Sequence, residues 1–296
     1  MTLQASHSHS QPNYTGLILG MLATLLISLS IHVVMLQVLR VPFPDFAGAS
    51  VWLKLLNLDL ALFALTVFLT AAQPRLGSFS KVAQCLIVFL LYAMLKESFR
   101  SVLMNGVVTT AWRFDLVAGL PSLAYSLVMS TLLVLLTPLL RTLWVRIAAA
   151  AALAGIATFA LRPALGILFA PAMKAVEQLD HPEVYGFPYG WHVLVPSYLT
   201  FAEPVIACMV IAVLVWERLS TKPGLRVLQF CLLIVSLRGM LLPTFLYSFY
   251  SKEKLLLAMV SESQFLFESL ALAGFTALVW QLFGRTQRTL LPTTSA

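Results

Sequence analysis

Charge is what this chain has least of: 10% of its 296 residues are Asp, Glu, Lys or Arg, while 60% are hydrophobic. An ordinary soluble domain is about a quarter charged. The scarcity excludes a soluble globular protein, a disordered chain and a nucleic-acid binder together. Acids are scarcer than bases, 12 against 19. At a mean hydropathy of +0.91, that excess reads as basic residues flanking membrane spans, not as a sign of an acidic partner. Cysteine is nearly absent. Cys85, Cys208 and Cys231 have no metal-ligand spacing, which excludes a disulfide framework or zinc site and leaves apolar packing as their role. There is no GxxxxGK[ST] phosphate loop, HExxH zinc motif or GxSxG elbow, so ATP hydrolysis is excluded and no cofactor or metal is expected.

What the chain has in abundance is long apolar runs. About 20 apolar residues in a helix cross a hydrocarbon core. Runs near that length lie at 15–39, 51–72, 82–104, 116–140, 146–170, 198–217, 227–250 and 258–283. They predict an all-α membrane bundle of eight helices, a single transmembrane domain over 15–283 between polar tails at 1–14 and 284–296. Barrel strands would alternate in polarity, and these runs do not. The first run is too long for a cleaved signal peptide and has no Lys or Arg ahead of it. His7 and His9 belong to a polar leader, not a metal site.

With the N-terminus inside, the inner connections hold Arg75, Lys81, Arg141, Arg146, Arg218, Lys222, Arg226, Arg285 and Arg288, with Glu217 as the only acid. The outer connections mix signs: Arg40 with Asp45, Arg113 with Asp115, Lys252 and Lys254 with Glu253. Basic residues favour the cytoplasmic side, so both termini are expected there, in a plasma membrane or bacterial inner membrane.

The two halves echo each other. Lys81-Val-Ala-Gln-Cys85-Leu resembles Arg226-Val-Leu-Gln-Phe-Cys231-Leu, and the helices that follow share Leu91/Leu237, Met94/Met240 and Phe99/Phe245. A duplication over 15–140 and 146–283, with four helices in each half, predicts parallel repeats with any central site at their interface.

Six runs each place an ionisable residue at a similar depth: Asp59, Glu97, Arg162, Glu203, Arg238 and Glu268. Counted from the nearest inner basic residue, they lie about 18–25 Å up, in one slab in the outer half of the bilayer. Charges at that depth need partners or a water-filled cavity. Residues 82–95 alone reach only about 21 Å, so the third helix must carry Lys96, Glu97 and Arg100 into the membrane. Helical spacing puts Lys96 and Arg100 on one face with Glu97 a quarter-turn away, Arg100 snorkelling outward and Lys54 doing the same on the second helix. His32 joins the slab from the first helix. Under the duplication, Asp59 pairs with Glu203 and Lys96 with Arg238. Arg162, Glu203 and Arg238 stand near Pro163, Pro204 and Pro243, and proline-broken helices commonly line transporter sites. Ser261, Gln264 and Glu268 form one polar stripe aimed inward, and Glu262 is expected to be solvated. Gly16-x-x-x-Gly20 and the Ala-rich run 147–154 predict close helix packing.

The longest outer connection, 171–197, is aromatic and carries His181 and His192; it reads as an interfacial belt folded over the outer face. Lys96-Glu97-Ser98-Phe99-Arg100 resembles the glutamate–arginine motif of intramembrane CAAX-type proteases. The paired glutamates are missing and no histidine follows on the expected later helices, so that resemblance is set aside.

The candidate substrate- or ion-binding residues are therefore Asp59, Lys96, Glu97, Arg162, Glu203, Arg238 and Glu268. His32, Arg100, Gln264, His181 and His192 stand behind them. The leading expectation is transport or handling of a small anionic, zwitterionic or lipid-linked substrate within the lipid bilayer. A non-catalytic subunit or assembly factor with membrane-protein partners is second, and an intramembrane enzyme acting on a lipid third.

Overall fold

The computed structural model describes residues 12–45 and 48–284. The tail histidines, Arg285 and Arg288 lie outside them. Among the described residues the chain is helical, with no strand: α1 (Tyr14–Gln37), α2 (Val51–Leu76), α3 (Lys81–Leu95), α4 (Ser98–Thr109), α5 (Trp112–Leu136), α6 (Leu143–Ile156), α7 (Arg162–Val176), α8 (Trp191–Thr200), α9 (Ala202–Val215), α10 (Pro223–Arg238), α11 (Pro243–Leu246) and α12 (Leu255–Phe283).

Among the described residues six segments are long and apolar enough to cross a membrane: α1, α2, Trp112–Leu139, Leu143–Leu179, Trp191–Arg218 and α12. A seventh is added if α3 and α4, bent by 54°, count as one span. Two of the eight expected spans are thus not continuous helices. The third breaks at Lys96–Glu97, where Glu97 has φ 57°, and the seventh ends at Arg238, where Gly239 has φ 71°. Averaged hydropathy runs straight through a single left-handed residue. Of the 227–250 run, only a 16-residue helix remains, covering about 24 Å. The fifth span is longer than expected, because a π-turn at Ala157–Leu161 joins α6 to α7. Pro163 offers no N–H to the preceding turn, and the ladder widens there.

α2 and α9 lie at the centre. Leu62, Leu65 and Phe68 of α2 pack with Ala207, Cys208 and Ala212 of α9, Phe230 and Ile234 of α10, and Met129 and Leu133 of α5. On the flank α1 runs antiparallel to α12, and Asn13 N–H donates to the Phe283 carbonyl at 3.0 Å. The glycine pair sits at this contact: a Cβ on Gly20 would come within 2.6 Å of Val279. Ala150, Ala154 and Ala157 are fully buried where α6 meets α2. One end of the bundle gathers Arg75, Arg141, Arg146, Arg218 and Lys222, with Arg75 and Glu217 joining α2 to α9 at 3.6 Å; we call it the arginine-rich end. At the opposite end the expected 171–197 loop is shorter. The Pro-Ala-Met-Lys stretch continues α7, α8 begins at Trp191, and the irregular cover is 177–190.

Candidate functional site

α3 and α10 both start at the arginine-rich end and both stop partway. A truncated helix exposes four carbonyls that need donors. At the end of α10 the donor comes from the other broken helix: Lys96 Nζ donates to the Arg238 carbonyl at 2.8 Å. Gly239 makes this approach feasible, since a Cβ there would lie 3.0 Å from Nζ. Glu97 has no glycine's freedom, and a left-handed turn costs an L-residue about 1–2 kcal/mol. The turn is held by the carboxylate it aims, which accepts from both Arg100 and Arg238. Arg238 Nη2 also donates to Glu268 Oε1 of α12 at 2.8 Å. Glu203 of α9 accepts the Phe99 N–H in the first turn of α4 at 3.3 Å, where a helix N-terminus favours an anion. Lys96, Glu97, Arg100, Glu203, Arg238 and Glu268 thus form one cluster of three bases and three acids. Arg238 and Glu268 are 4% and 2% exposed.

Helical-face spacing does not describe this arrangement. The turn at Glu97 points Lys96 toward α10 and folds Arg100 back onto Glu97. Arg100 does not snorkel; it lies half-buried, its guanidinium 5.1 Å from the centre of the Phe201 ring.

Beside the cluster lies a cavity of about 270 Å³, lined by α1, α4, α8, α12 and the 177–190 cover. Its charged and titratable lining includes Arg100, Glu268 and His32; Leu29, Val33, Val193, Leu194 and Phe265 are among its apolar walls. His32 stacks on Phe265 at 4.8 Å, with its Nδ1 buried and unpartnered among the described residues. Arg100 Nε and Arg238 Nε and Nη1 are likewise buried donors without partners there. The site can therefore offer directed N–H groups to an anion and the Glu268 carboxylate to a cation, against apolar walls.

The cover is latched by groups that sequence reasoning missed. Tyr185 lines the cavity and its hydroxyl donates to Asn105 Oδ1 of α4 at 2.5 Å. Burial pushes this phenol up to about 12, so it stays a donor through the physiological range. Below it Thr109 donates to Asp115 Oδ2 at 3.1 Å, and Asp115 is buried instead of standing with Arg113 at the surface. An Asn and an Asp beside an aromatic loop were the available signal.

The remaining candidates fall elsewhere. Among the described residues Asp59 on α2 makes no ion pair, and its Oδ1 is buried without a partner there. Arg162 is exposed, its guanidinium 5.0 Å from the centre of the Tyr125 ring, and joins no ion pair among the described residues. Lys54 is exposed, as expected of a snorkelling lysine. Ser261 and Gln264 are buried and both donate to the Pro42 carbonyl, at 2.7 and 2.8 Å, so the upper part of the stripe anchors the stretch around Pro42. Glu262 is 2% exposed, not solvated. His181 pairs with Glu183 at 3.0 Å; the Glu183 backbone N–H, and then this contact, hold the Glu183 carboxyl below its usual range. His192 is the second residue of α8, so a histidine does occur on a later helix; its Nε2 lies 3.5 Å from the Val184 carbonyl. Among the described residues no three His, Cys, Asp or Glu side chains form a metal-binding group.

No known protein family matches the chain, and neither does any curated protein or solved structure.

Proposed function

We propose that this is a multi-pass membrane protein that transports or hands on a small anionic or zwitterionic solute, or the headgroup of a lipid-linked one, taken into the cavity beneath the 177–190 cover. The observation that carries the reading is the meeting of two broken helices, α3/α4 and α10/α11, which end on each other at a buried charge cluster beside that cavity. Irregular backbone at membrane depth is tolerated where it is enclosed by protein or lines a cavity, and broken helices of this kind form transporter sites. A volume of about 270 Å³ falls just below the usual range of ligand pockets and suits a small solute better than a whole lipid. The solute's anionic group would lie on Arg100, and Glu268 would take its cationic group or a coupling proton.

We infer a duplicated architecture, which would fit the same reading, from the helix contacts. Helix pairings come in matched sets: α3 and α4 on α5 match α10 and α11 on α12, α12 on α1 matches α5 on α7, and α2 on α10 matches α9 on α3. Lys96 and Arg238, which end the two broken helices, are 142 positions apart, one helical turn short of the 146 suggested by the cysteine alignment. The arginine-rich end is proposed to be cytoplasmic.

The test is a thermal-shift screen of purified full-length protein against small carboxylates, phosphates and amino acids, run in parallel on Arg100→Gln. A ligand at 100 times its Kd stabilises by about 2.7 kcal/mol. The parent should show such a shift, and Arg100→Gln should lose it while keeping the parent's ligand-free Tm within a few degrees. Equal shifts in both, or none in the parent, would count against the site. A silent screen together with co-purification of a stoichiometric membrane partner would favour the subunit reading, which the balance of charges in the cluster also allows.

A further inference from the structure

A second concavity, of about 550 Å³, runs between α2 and α10 on the side of the molecule away from the cover. Its α2 wall is Leu60, Val67 and Ala71, spaced along one helical stripe; its α10 wall includes Leu232 and Ser236. From Ala71 to Leu60 it extends about 16 Å from the arginine-rich end toward the level of the helix break. Almost everything polar is at one mouth. Arg218 lines it there, exposed and without an ion pair among the described residues, because the carboxylate of neighbouring Glu217 is engaged by Arg75 at 3.6 Å. Gln229 lies at the same mouth, its Oε1 occupied by the Ser220 N–H at 2.7 Å and its amide NH₂ left as a second donor.

An apolar trough with a cation and an amide donor at its membrane-surface end matches one kind of occupant. We infer that this groove binds an anionic phospholipid from the leaflet at the arginine-rich end, one acyl chain lying between α2 and α10 and the headgroup phosphate on Arg218. A soluble anion would find no use for the trough. A zwitterionic lipid would fill it but gain less from Arg218, since juxtamembrane basic residues favour anionic headgroups.

The experiment is native mass spectrometry of the full chain, delipidated in detergent and titrated with phosphatidylglycerol or phosphatidylcholine. The parent should retain phosphatidylglycerol preferentially. Arg218→Gln should weaken that retention about five-fold, the equivalent of about 1 kcal/mol, while leaving phosphatidylcholine unchanged. Ala71→Phe, which narrows the trough at a half-buried position, should lower retention of both lipids without lowering the Tm of the lipid-free protein. Parent-like phosphatidylglycerol retention in both variants would overturn the proposal. So would a change from dimer to monomer in either variant with lipid binding intact, which would make the groove a contact between copies of this chain.

Discussion

Replacing Arg238 with methionine is expected to cost about 3–5 kcal/mol, the largest loss from any single change in the cluster. The guanidinium is 4% exposed and holds the Glu97 and Glu268 carboxylates together, so its removal leaves two like charges buried side by side. The cost belongs to Glu268, left without a cation beside Glu97, which keeps Arg100, and not to a lost attraction. Arg238→Met combined with Glu97→Gln and Glu268→Gln should therefore recover most of the stability, and the exchange of Arg238 with Glu268 should recover part of it. Denaturant unfolding in detergent, with membrane abundance alongside, measures this. If the single variant falls within 1 kcal/mol of the parent, the cluster is hydrated enough to dispense with Arg238 and its packing role is wrong.

Gly239→Leu is expected to cost about 2–4 kcal/mol. The left-handed backbone at φ 71° accounts for about 1–2 kcal/mol in an L-residue. The rest comes from displacing Lys96, whose Nζ would lie 3.0 Å from the new Cβ, so that a buried carbonyl loses its donor at about 1–3 kcal/mol. Gly155→Leu, where a Cβ meets nothing within 4 Å, is the matched control and should be near neutral. Equal effects in the two variants would mean that the α10 break does not depend on Gly239.

Most of the long apolar helices were readable because run length follows from one-dimensional counting, as did the expected depth of the charges. Bilayer thickness sets the length of a run, and 1.5 Å per residue sets how deep a charge lies. Six charges counted into one slab, and four of them, Glu97, Glu203, Arg238 and Glu268, lie together in the fold. Counting assumes an unbroken helix, and that is where it failed. Nothing local marks Glu97 as left-handed; its turn is held by Arg100 and by Arg238, 141 positions away in the chain. Arg162 and Asp59 were counted to the same depth, but depth leaves rotation about the helix axis open, and neither joins an ion pair of the cluster among the described residues. The Tyr185–Asn105 latch joins residues 80 apart, and no spacing rule connects them.

We propose that the cavity fills from the covered end, past the Tyr185–Asn105 hydrogen bond that holds the cover. The most direct test replaces His32, in its lining, with cysteine, in a chain with Cys85 and Cys231 changed to serine and Cys208 to alanine. Sealed proteoliposomes of known orientation then receive a membrane-impermeant maleimide. Labelling should come from the covered end alone. It should speed up about two- to ten-fold in Tyr185→Phe, as the loss of one hydrogen bond of about 0.5–1.5 kcal/mol predicts. Labelling only from the arginine-rich end, or at a rate indifferent to Tyr185→Phe, would contradict the account.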